Sequence, residues 1–263
     1  MIFAPGIFDG QVALITGGGT GIGRVTALGL ARLGARVAIC GRRAEPLEAT
    51  ARELAQAAGG DDKVLWKTCD IREPEQIAAV VGATLEKLGR IDLLVNNAGG
   101  QFPSPAESIT PRGWDAVVRN NLNGTFYMTR EVATRAMMPQ RGGRVVNVIA
   151  QIFRGFPGFA HTGAARAGVE NLTMTLSVEW AQHKILVNAI APGIILSSGT
   201  SRYPPELLEA GRKQTPLKRL GTEDEVAQGI IYLLSPAAAF ITGSTLYMDG
   251  GARLWGANWP IPD

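Results

Sequence analysis

The feature that most constrains this chain is a glycine-rich turn between a short apolar segment and an amphipathic one. Val12–Thr16 is an apolar run that predicts a buried strand, and the pattern of Ile22–Leu33 predicts a helix. Gly17 and Gly21 lie between these two segments, and Gly23 lies at the start of the predicted helix. These glycines permit a tight turn and a close approach of helix to strand. A helix that begins at such a turn directs its free N–H groups and the positive end of its dipole outward, where they bind phosphate. The segment therefore predicts a dinucleotide site at the end of the first strand.

The rest of the chain repeats this alternation of strand and helix. Short β-branched runs predict further strands at Arg36–Gly41, Val64–Asp70, Leu93–Asn96, Arg144–Val148, Leu186–Ala191 and Thr245–Met248. Longer amphipathic segments predict helices at Glu45–Ala58, Pro74–Leu88, Pro111–Met138, Thr162–His183 and Glu223–Leu234. The strands carry few alternating polar residues, as expected when helices cover both faces of a parallel sheet. We therefore predict a Rossmann-type, doubly wound α/β fold with a seven-stranded parallel sheet and helices on both faces.

Composition indicates one domain, residues 1–263, because no linker, repeat or low-complexity stretch divides the chain. Apolar residues make up 46% of it and charged residues 19%, which suits a large core in a protein that stays in solution. The net charge of +3, without long Lys/Arg runs, predicts no nucleic-acid partner. No segment has transmembrane length, and neither a leader nor a peroxisomal signal is present, so we expect no membrane partner and a cytoplasmic location. Cys40 and Cys69 lie in predicted strands as core residues and predict neither a disulfide nor a metal site.

The end of the second predicted strand indicates which dinucleotide is bound. NAD sites usually place an acidic residue there, which accepts hydrogen bonds from the ribose 2′-hydroxyl. This chain has Gly41 instead, followed by Arg42 and Arg43. A carboxylate would repel a 2′-phosphate, whereas a guanidinium binds it through two parallel hydrogen bonds. The sequence therefore predicts NADPH, with Arg42 as the phosphate contact; Arg43 is also explained as an exposed residue at the start of the next helix.

The connection at Gly193–Gly221 is the longest without a predicted strand, and residues 194–222 are predicted to form a lid on the substrate side. Basic residues are crowded in it: Arg202, Arg212, Lys213, Lys218 and Arg219. They would suit the multiply charged phosphates of coenzyme A. A solvated helix face explains the same cluster, since charge clustering alone is non-specific.

An ordered set of motifs resembles the short-chain dehydrogenase/reductase family over nearly the whole chain. The set comprises Thr16–Gly23, Cys69–Ile71, Asn96–Gly99, Asn121–Gly124 and Ala191–Gly193. The resemblance implies a nicotinamide-dependent oxidoreductase that assembles as a homotetramer through its long helices. Together with Arg42 and the later Arg166, it predicts these cofactor contacts: Gly17, Thr20, Gly21, Ile22, Gly23, Arg42, Asp70, Ile71, Asn97, Ala98, Gly99, Arg166, Pro192, Gly193 and Ile195.

The family's usual catalytic trio is missing. Its serine after the fifth strand is replaced by Ala150 or Ile149, and its Tyr-x-x-x-Lys pair is replaced by Thr162 and Arg166. Asn121, which in the family holds a helix open around a water of the proton relay, is retained. A threonine hydroxyl is too weak an acid to protonate an alkoxide, but it can donate a hydrogen bond to an oxyanion.

Reduction of an α,β-unsaturated thioester matches that chemistry, because hydride addition at Cβ forms an enolate whose oxygen needs hydrogen-bond donors. The segments 96–107, 124–128 and 155–169 also resemble the enoyl-CoA and 2,4-dienoyl-CoA reductases of the family, which likewise lack the usual trio. This resemblance implies NADPH-dependent reduction of an enoyl-CoA or dienoyl-CoA. A carbonyl reductase with a non-standard proton donor, and a non-catalytic NADPH-binding protein, remain alternatives.

The predicted catalytic residues are Thr162, Arg166, Asn121 and His161. Thr162 is either the oxyanion donor or a helix N-cap, for which threonine is well suited. Arg166, one helical turn later, is expected on the same face, where it would bind the nicotinamide ribose and supply positive charge.

The neighbouring candidates each carry a simpler explanation. His161 either relays a proton or is structural. Tyr127 is better explained as a core or interface aromatic than as an acid, and Gln101 and Phe102 either contact substrate or pack their own loop.

Overall fold

A seven-stranded parallel sheet forms the centre of the molecule. The computed structural model describes residues 2–197, 205–254 and 261. Within these residues the strands are β1 (Val12–Thr16), β2 (Arg36–Gly41), β3 (Val64–Thr68), β4 (Leu93–Asn96), β5 (Gly143–Val148), β6 (Ile185–Pro192), β7 (Ile195–Leu196), β8 (Gly221–Thr222) and β9 (Thr245–Met248). The main sheet has the order β3-β2-β1-β4-β5-β6-β9, and β7 pairs with β8 separately. The order reverses between β1 and β4, which is where a doubly wound sheet opens a crevice for a ligand.

Helices fill the connections between the strands. They are α1 (Gly21–Arg32), α2 (Ala44–Ala58), α3 (Pro74–Leu88), α4 (Pro111–Val118), α5 (Gly124–Val132), α6 (Met138–Gln140), α7 (Ala160–Glu179), α8 (Pro205–Gln214) and α9 (Glu223–Leu234). Two π-helical turns, Arg119–Asn123 and Ala133–Met137, join α4, α5 and α6 into one continuous helical stretch. None of the helices in the described ranges is both long and apolar enough to cross a membrane.

Both faces of the sheet are apolar and covered. On one face α1, α2 and α9 pack their apolar side chains on Ala13 and Ile15 of β1. On the other, α3, α5 and α7 pack on Val12 and Leu14 of the same strand. Because successive side chains of a strand point to opposite faces, an uninterrupted apolar strand requires this double cover. The predicted fold class is thereby confirmed.

Several predicted boundaries were wrong, and each has a local cause. β3 ends at Thr68 rather than Asp70, because the Asp70 carboxylate accepts a hydrogen bond from the Arg72 backbone N–H and turns the chain. The predicted helix Pro111–Met138 runs on to Gln140 and contains the two π turns. The connection expected to lack a strand contains β7 and β8.

Candidate active site

The glycine-rich loop has the geometry of a phosphate cradle. Gly17 and Gly21 adopt φ values of 67° and 60°, a left-handed conformation that favours glycine. A Cβ at Gly23 would overlap the carbonyl oxygen of Gly17, so this glycine is needed where helix and strand meet. Thr20, the N-cap of α1, has extended backbone and makes no side-chain capping bond. The first N–H groups of α1 are therefore available to an anion at the end of β1.

Asn97 fastens the end of β4 to this cradle. Its Nδ2 donates to the carbonyl oxygens of Thr16, at 3.0 Å, and of Gly17, at 3.2 Å. In return, Thr16 Oγ1 accepts hydrogen bonds from the backbone N–H groups of Asn97, at 3.0 Å, and Ala98, at 2.9 Å. The turn after β4 is thus fixed against the cradle.

A cavity of about 520 Å³ opens beside the loop. It is lined by Gly17, Gly19, Thr20, Gly41, Arg42, Arg43, Pro46, Leu47, Cys69, Asp70, Ile71, Ala98, Gly99 and Asn120. Seven of the predicted cofactor contacts are among these residues: Gly17, Thr20, Arg42, Asp70, Ile71, Ala98 and Gly99. A narrow cradle at one end and an open pocket between β2 and β3 at the other fit a dinucleotide.

The two arginines at the end of β2 are exposed, and both line the cavity. Within the described ranges no ion pair engages either Arg42 or Arg43. Asp70, the nearby acid, is instead bonded to Arg72, whose guanidinium lowers the pKa of that carboxyl. The mouth of the pocket therefore carries unpaired positive charge.

Arg166 is the buried charge of the site. It lies on α7 with 8% of its surface exposed, and its Nη1 donates to the carbonyl oxygen of Val148 at 2.8 Å. No described carboxylate contacts it, and burial alone lowers the pKa of its guanidinium to about 10. The other end of the guanidinium lies against Gly99, since a Cβ there would overlap Nη2. An unpaired buried cation is costly, and its Nη2 lies against the turn after β4 that is predicted to contact the cofactor.

Asn121 faces the same glycine. Its Nδ2 donates to the carbonyl oxygens of Gly100, at 2.7 Å, and Val117, at 2.9 Å. Its Oδ1 would lie 2.8 Å from a Cβ at Gly99. Asn121 belongs to the π-helical turn Arg119–Asn123, so the helix is widened where the family resemblance implies an opening.

His161 and Thr162, on the first turn of α7, contact each other. His161 is fully buried, and its Nδ1 accepts the Thr162 backbone N–H at 2.8 Å. The Thr162 hydroxyl lies 3.2 Å from the same nitrogen. Thr162 is 1% exposed and is the third residue of α7, whose N-cap is Phe159, so the alternative N-cap role is wrong. Its predicted role as oxyanion donor stays a prediction, and it would require the hydroxyl to turn away from the imidazole.

Among the described residues, no hydroxyl or phenol takes the positions of the missing trio's serine and tyrosine except the weakly acidic Thr162. Ile149 is buried and Ala150 follows it, so the chain after β5 offers no hydroxyl. Tyr127 packs against the core cluster beneath α3 and α5, and its ring is 6.0 Å from that of Phe126. Packing therefore explains Tyr127 better than a role as a proton donor does.

The remaining candidate residues lie on other segments of the chain. Phe102 packs edge-on against His161, with ring centroids 4.5 Å apart, while Gln101 is exposed. Pro192 ends β6 and accepts a hydrogen bond from the Gln151 N–H at 3.0 Å. Gly193 lies so near Asp249 that a Cβ would be 2.9 Å from its Cα, and Ile195 is buried in β7.

Three of the five basic residues of the predicted lid are engaged with acids, and Lys218 donates to the carbonyl oxygen of Lys213 at 3.2 Å. Arg212 bonds Glu209 at 2.8 Å and Arg219 bonds Glu225 at 2.5 Å, while Lys213 lies 3.8 Å from Glu209. These pairs favour the solvated-face interpretation over coenzyme A phosphates. Arg202 lies outside the described residues.

A buried polar chain beneath the site was not predicted. Asn96 Nδ2 donates to Thr129 Oγ1 at 2.7 Å and to Asn147 Oδ1 at 2.9 Å, and Asn147 donates to Thr173 Oγ1 at 2.9 Å. Asn96 Oδ1 is buried with no partner among the described atoms. The signal available in the sequence was an asparagine in each of two mostly apolar strands, Asn96 at the end of β4 and Asn147 in β5.

Comparisons with known proteins agree with this geometry. Residues 17–253 match the family model described as enoyl-(acyl carrier protein) reductase. The chain is 37% identical over 265 residues to the peroxisomal 2,4-dienoyl-CoA reductase of Danio rerio, covering 98% of this chain and 86% of that protein. It is 38% identical over 244 residues to a 3-oxoacyl-(acyl-carrier-protein) reductase of Thermotoga maritima, covering 92% and 98%. A solved structure of a citronellol catabolism dehydrogenase from Pseudomonas aeruginosa PAO1 is 48% identical, with a TM-score of 0.86 and coverage of 96% and 98%. The chain therefore belongs to the short-chain dehydrogenase/reductase family.

Proposed function

We propose that this oxidoreductase uses NADPH to reduce the α,β double bond of an enoyl thioester, a trans-2-enoyl-CoA or a dienoyl-CoA. The observation that carries the proposal is Arg166, a buried guanidinium with no described counter-ion beside a turn that fits the cofactor. The same site holds no tyrosine in the family's usual place. Such a site stabilises developing negative charge better than it delivers a proton.

The bound cofactor supplies a hydride. When that hydride adds to Cβ of an enoyl thioester, the double-bond electrons move toward the carbonyl and leave negative charge on the thioester oxygen. A buried guanidinium stabilises this charge more strongly than an exposed one would, since the surrounding dielectric is low. Arg166 also binds the nicotinamide ribose in the proposed site, while Asn121 holds the turn at Gly100 in place.

The end of β2 supports NADPH as the cofactor. The unpaired Arg42 and Arg43 supply two guanidinium groups at the open end of the cavity, and Gly41 presents no carboxylate there. A 2′-phosphate would meet these two guanidinium groups, while Asp70, the carboxylate that lines the same cavity, is bonded to Arg72. The printed name of the Danio rerio relative supports the thioester substrate.

A homotetramer is part of the proposal. Trp114, Phe126, Met174 and Val178 are exposed apolar side chains on α4, α5 and α7, the long helices through which the resemblance implies assembly. Light scattering after size-exclusion chromatography tests the stoichiometry. The cytoplasmic location stays a prediction.

A direct assay tests the proposed reaction. The purified chain is incubated with NADPH and either crotonyl-CoA, a dienoyl-CoA or a branched enoyl-CoA, and nicotinamide absorbance is followed. 3-Oxoacyl thioesters and simple ketones are run in parallel, because the Thermotoga maritima relative is named for a 3-oxoacyl substrate. We expect turnover of enoyl thioesters and little of ketones. Faster ketone turnover would establish the carbonyl-reductase alternative, and NADPH binding without any turnover would establish the non-catalytic one.

A further inference from the structure

The imidazole of His161 is oriented by two contacts at one ring nitrogen. Its Nδ1 accepts the Thr162 backbone N–H at 2.8 Å, and the Thr162 hydroxyl lies 3.2 Å from the same atom. A ring nitrogen that accepts a hydrogen bond carries no proton, so in the neutral ring the proton is on Nε2. The hydroxyl of Thr162 then has only one useful role toward the ring, which is to donate to Nδ1.

The other ring nitrogen has nothing to donate to. Nε2 of His161 is fully buried and has no hydrogen-bond partner among the described residues. Leaving a buried donor unsatisfied costs about 1–3 kcal/mol, so such a group is uncommon in a folded protein without a reason. A ligand that the structure does not contain is one such reason.

The position of the ring points to the substrate. His161 lies on the first turn of α7, the helix that carries Arg166. Its ring packs against Phe102, three residues beyond Gly99, where the Arg166 guanidinium lies. The imidazole is thus held between the two segments that border the proposed reaction centre.

We infer that His161 donates its Nε2–H to the thioester oxygen of the bound acyl substrate, and that Thr162 is a positioning residue that fixes the imidazole for this purpose. The inference rests on the proposed function and assigns the predicted oxyanion contact to His161 rather than Thr162. Phe102, whose ring packs edge-on against the imidazole and is 41% exposed, would have to move for the acyl group to reach the buried Nε2.

The step needs no proton from the imidazole. The hydride pair from NADPH forms the new C–H bond at Cβ, the Cα=Cβ electrons form a bond between Cα and the carbonyl carbon, and the carbonyl electrons stay on oxygen. A proton from water is then added at Cα as the carbonyl re-forms. The Nε2–H bond remains intact throughout, as in enzymes that use neutral imidazole as an electrophile.

The tautomer is tested by ¹⁵N NMR on protein labelled at histidine. The chain has two histidines, so His183→Asn assigns the His161 signals. We expect a protonated Nε2 and an unprotonated Nδ1, and we expect Thr162→Val to shift the Nδ1 resonance. Addition of NADP⁺ and butyryl-CoA, an unreactive product, should shift the Nε2 resonance. An Nε2 signal that does not respond to the acyl-CoA, or a proton on Nδ1, overturns the inference.

Kinetics supply an independent test with isosteric variants. His161→Phe keeps an aromatic ring against Phe102 but removes the donor, and we expect kcat to fall about 100-fold, as for loss of one oxyanion donor, with NADPH affinity unchanged. His161→Gln restores an N–H near the Nε2 position and should recover part of kcat. Thr162→Val should lower kcat about 5-fold, as expected for one neutral hydrogen bond, and Thr162→Ser should not.

The outcomes separate this inference from the proposed function. Equal kcat values for His161→Phe and the wild type, or equal losses for His161→Phe and His161→Gln in folded protein, would make the imidazole a packing residue. If the wild type reduces no enoyl thioester, the proposed function fails. In that case the shift of the Nε2 resonance on addition of butyryl-CoA still decides whether Nε2 of His161 contacts a bound acyl-CoA.

Discussion

Replacing Arg166 by methionine should weaken cofactor binding while leaving the unliganded fold nearly as stable. Methionine has similar length and can occupy the buried channel of the arginine side chain without its charge. Arg166 makes one described hydrogen bond, to the carbonyl oxygen of Val148, and has no described carboxylate partner. The stability lost with the guanidinium is therefore limited.

The magnitude follows from two opposing effects. Burial lowers the pKa of Arg166 to about 10. At about 1.4 kcal/mol per pH unit, burial of the charge costs about 3 kcal/mol, and the methionine variant removes this cost. Against it stands the Val148 carbonyl, which loses its partner at a cost of about 1–3 kcal/mol. The free energy of unfolding should change by less than about 2 kcal/mol, whereas breaking a buried ion pair costs about 3–5 kcal/mol.

Cofactor binding should respond differently. A charge-assisted hydrogen bond contributes about 1.5–3 kcal/mol, so the NADPH Kd of Arg166→Met should rise about 10–150-fold. Arg166→Lys keeps the charge but loses the planar fork, and it should fall between the wild type and the methionine variant. Turnover of an enoyl thioester should fall in the same order.

The assay combines denaturant unfolding without ligand and a fluorescence titration with NADPH. Arg144→Met is the matched control, since burial also lowers the pKa of Arg144 and its Nε has no described partner. Arg144 lies near the start of β5, at the opposite edge of the sheet from the cofactor, so its variant should bind NADPH normally. If Arg166→Met loses more than about 4 kcal/mol of stability and keeps the wild-type Kd, Arg166 is a structural residue and the site assignment is refuted.

Two further variants test the cofactor site. The pair Gly41→Asp and Arg42→Ala should reverse the preference for NADPH over NADH; a Cβ at position 41 would lie no closer than 3.8 Å to its neighbours, so the aspartate fits. Equal binding of both cofactors by the wild type would contradict this interpretation of β2. Gly99→Ala should displace the Arg166 guanidinium and reduce turnover at least 10-fold, a loss of about 1.4 kcal/mol of transition-state stabilisation. Gly142→Ala, which meets nothing within 4 Å, should have no effect. A fully active Gly99→Ala protein would show that the guanidinium does not need its observed position.

The layered fold was predictable because its signals are local. An apolar run such as Val12–Thr16 can be satisfied only between two helical layers, and the glycines after it fix the direction of α1. The end of β3 was misplaced because β-branched residues carry no information about the Asp70–Arg72 turn that ends the strand. β7 and β8 were missed because two-residue strands exist only through their pairing with each other.

The sequence suggests candidate residues for the site, but it does not show what those residues contact. The π turn at Asn121 depends on hydrogen bonds to Gly100 and Val117, and the first of these joins segments that are 21 residues apart. Arg166 has no described counter-ion because of the residues that surround it in space. A single sequence does not show which residues those are. The contact between the Thr162 hydroxyl and Nδ1 of His161 likewise appears only when the first turn of α7 is built.

Buried polar groups without partners support the proposed ligand site at the carboxyl ends of the central strands. The Arg166 charge is buried without a described counter-ion, and the Nε2 donor of His161 and the Oδ1 acceptor of Asn96 are buried without a described hydrogen-bond partner. Each lowers the stability of the unliganded chain, and each lies on a segment at the carboxyl end of the central strands. A ligand that satisfies them recovers that free energy as binding affinity, since whatever binds only the folded state stabilises it. A polar, partly anionic ligand is therefore favoured at this edge over an apolar one of equal size, which would leave the same groups unsatisfied and pay their full desolvation cost.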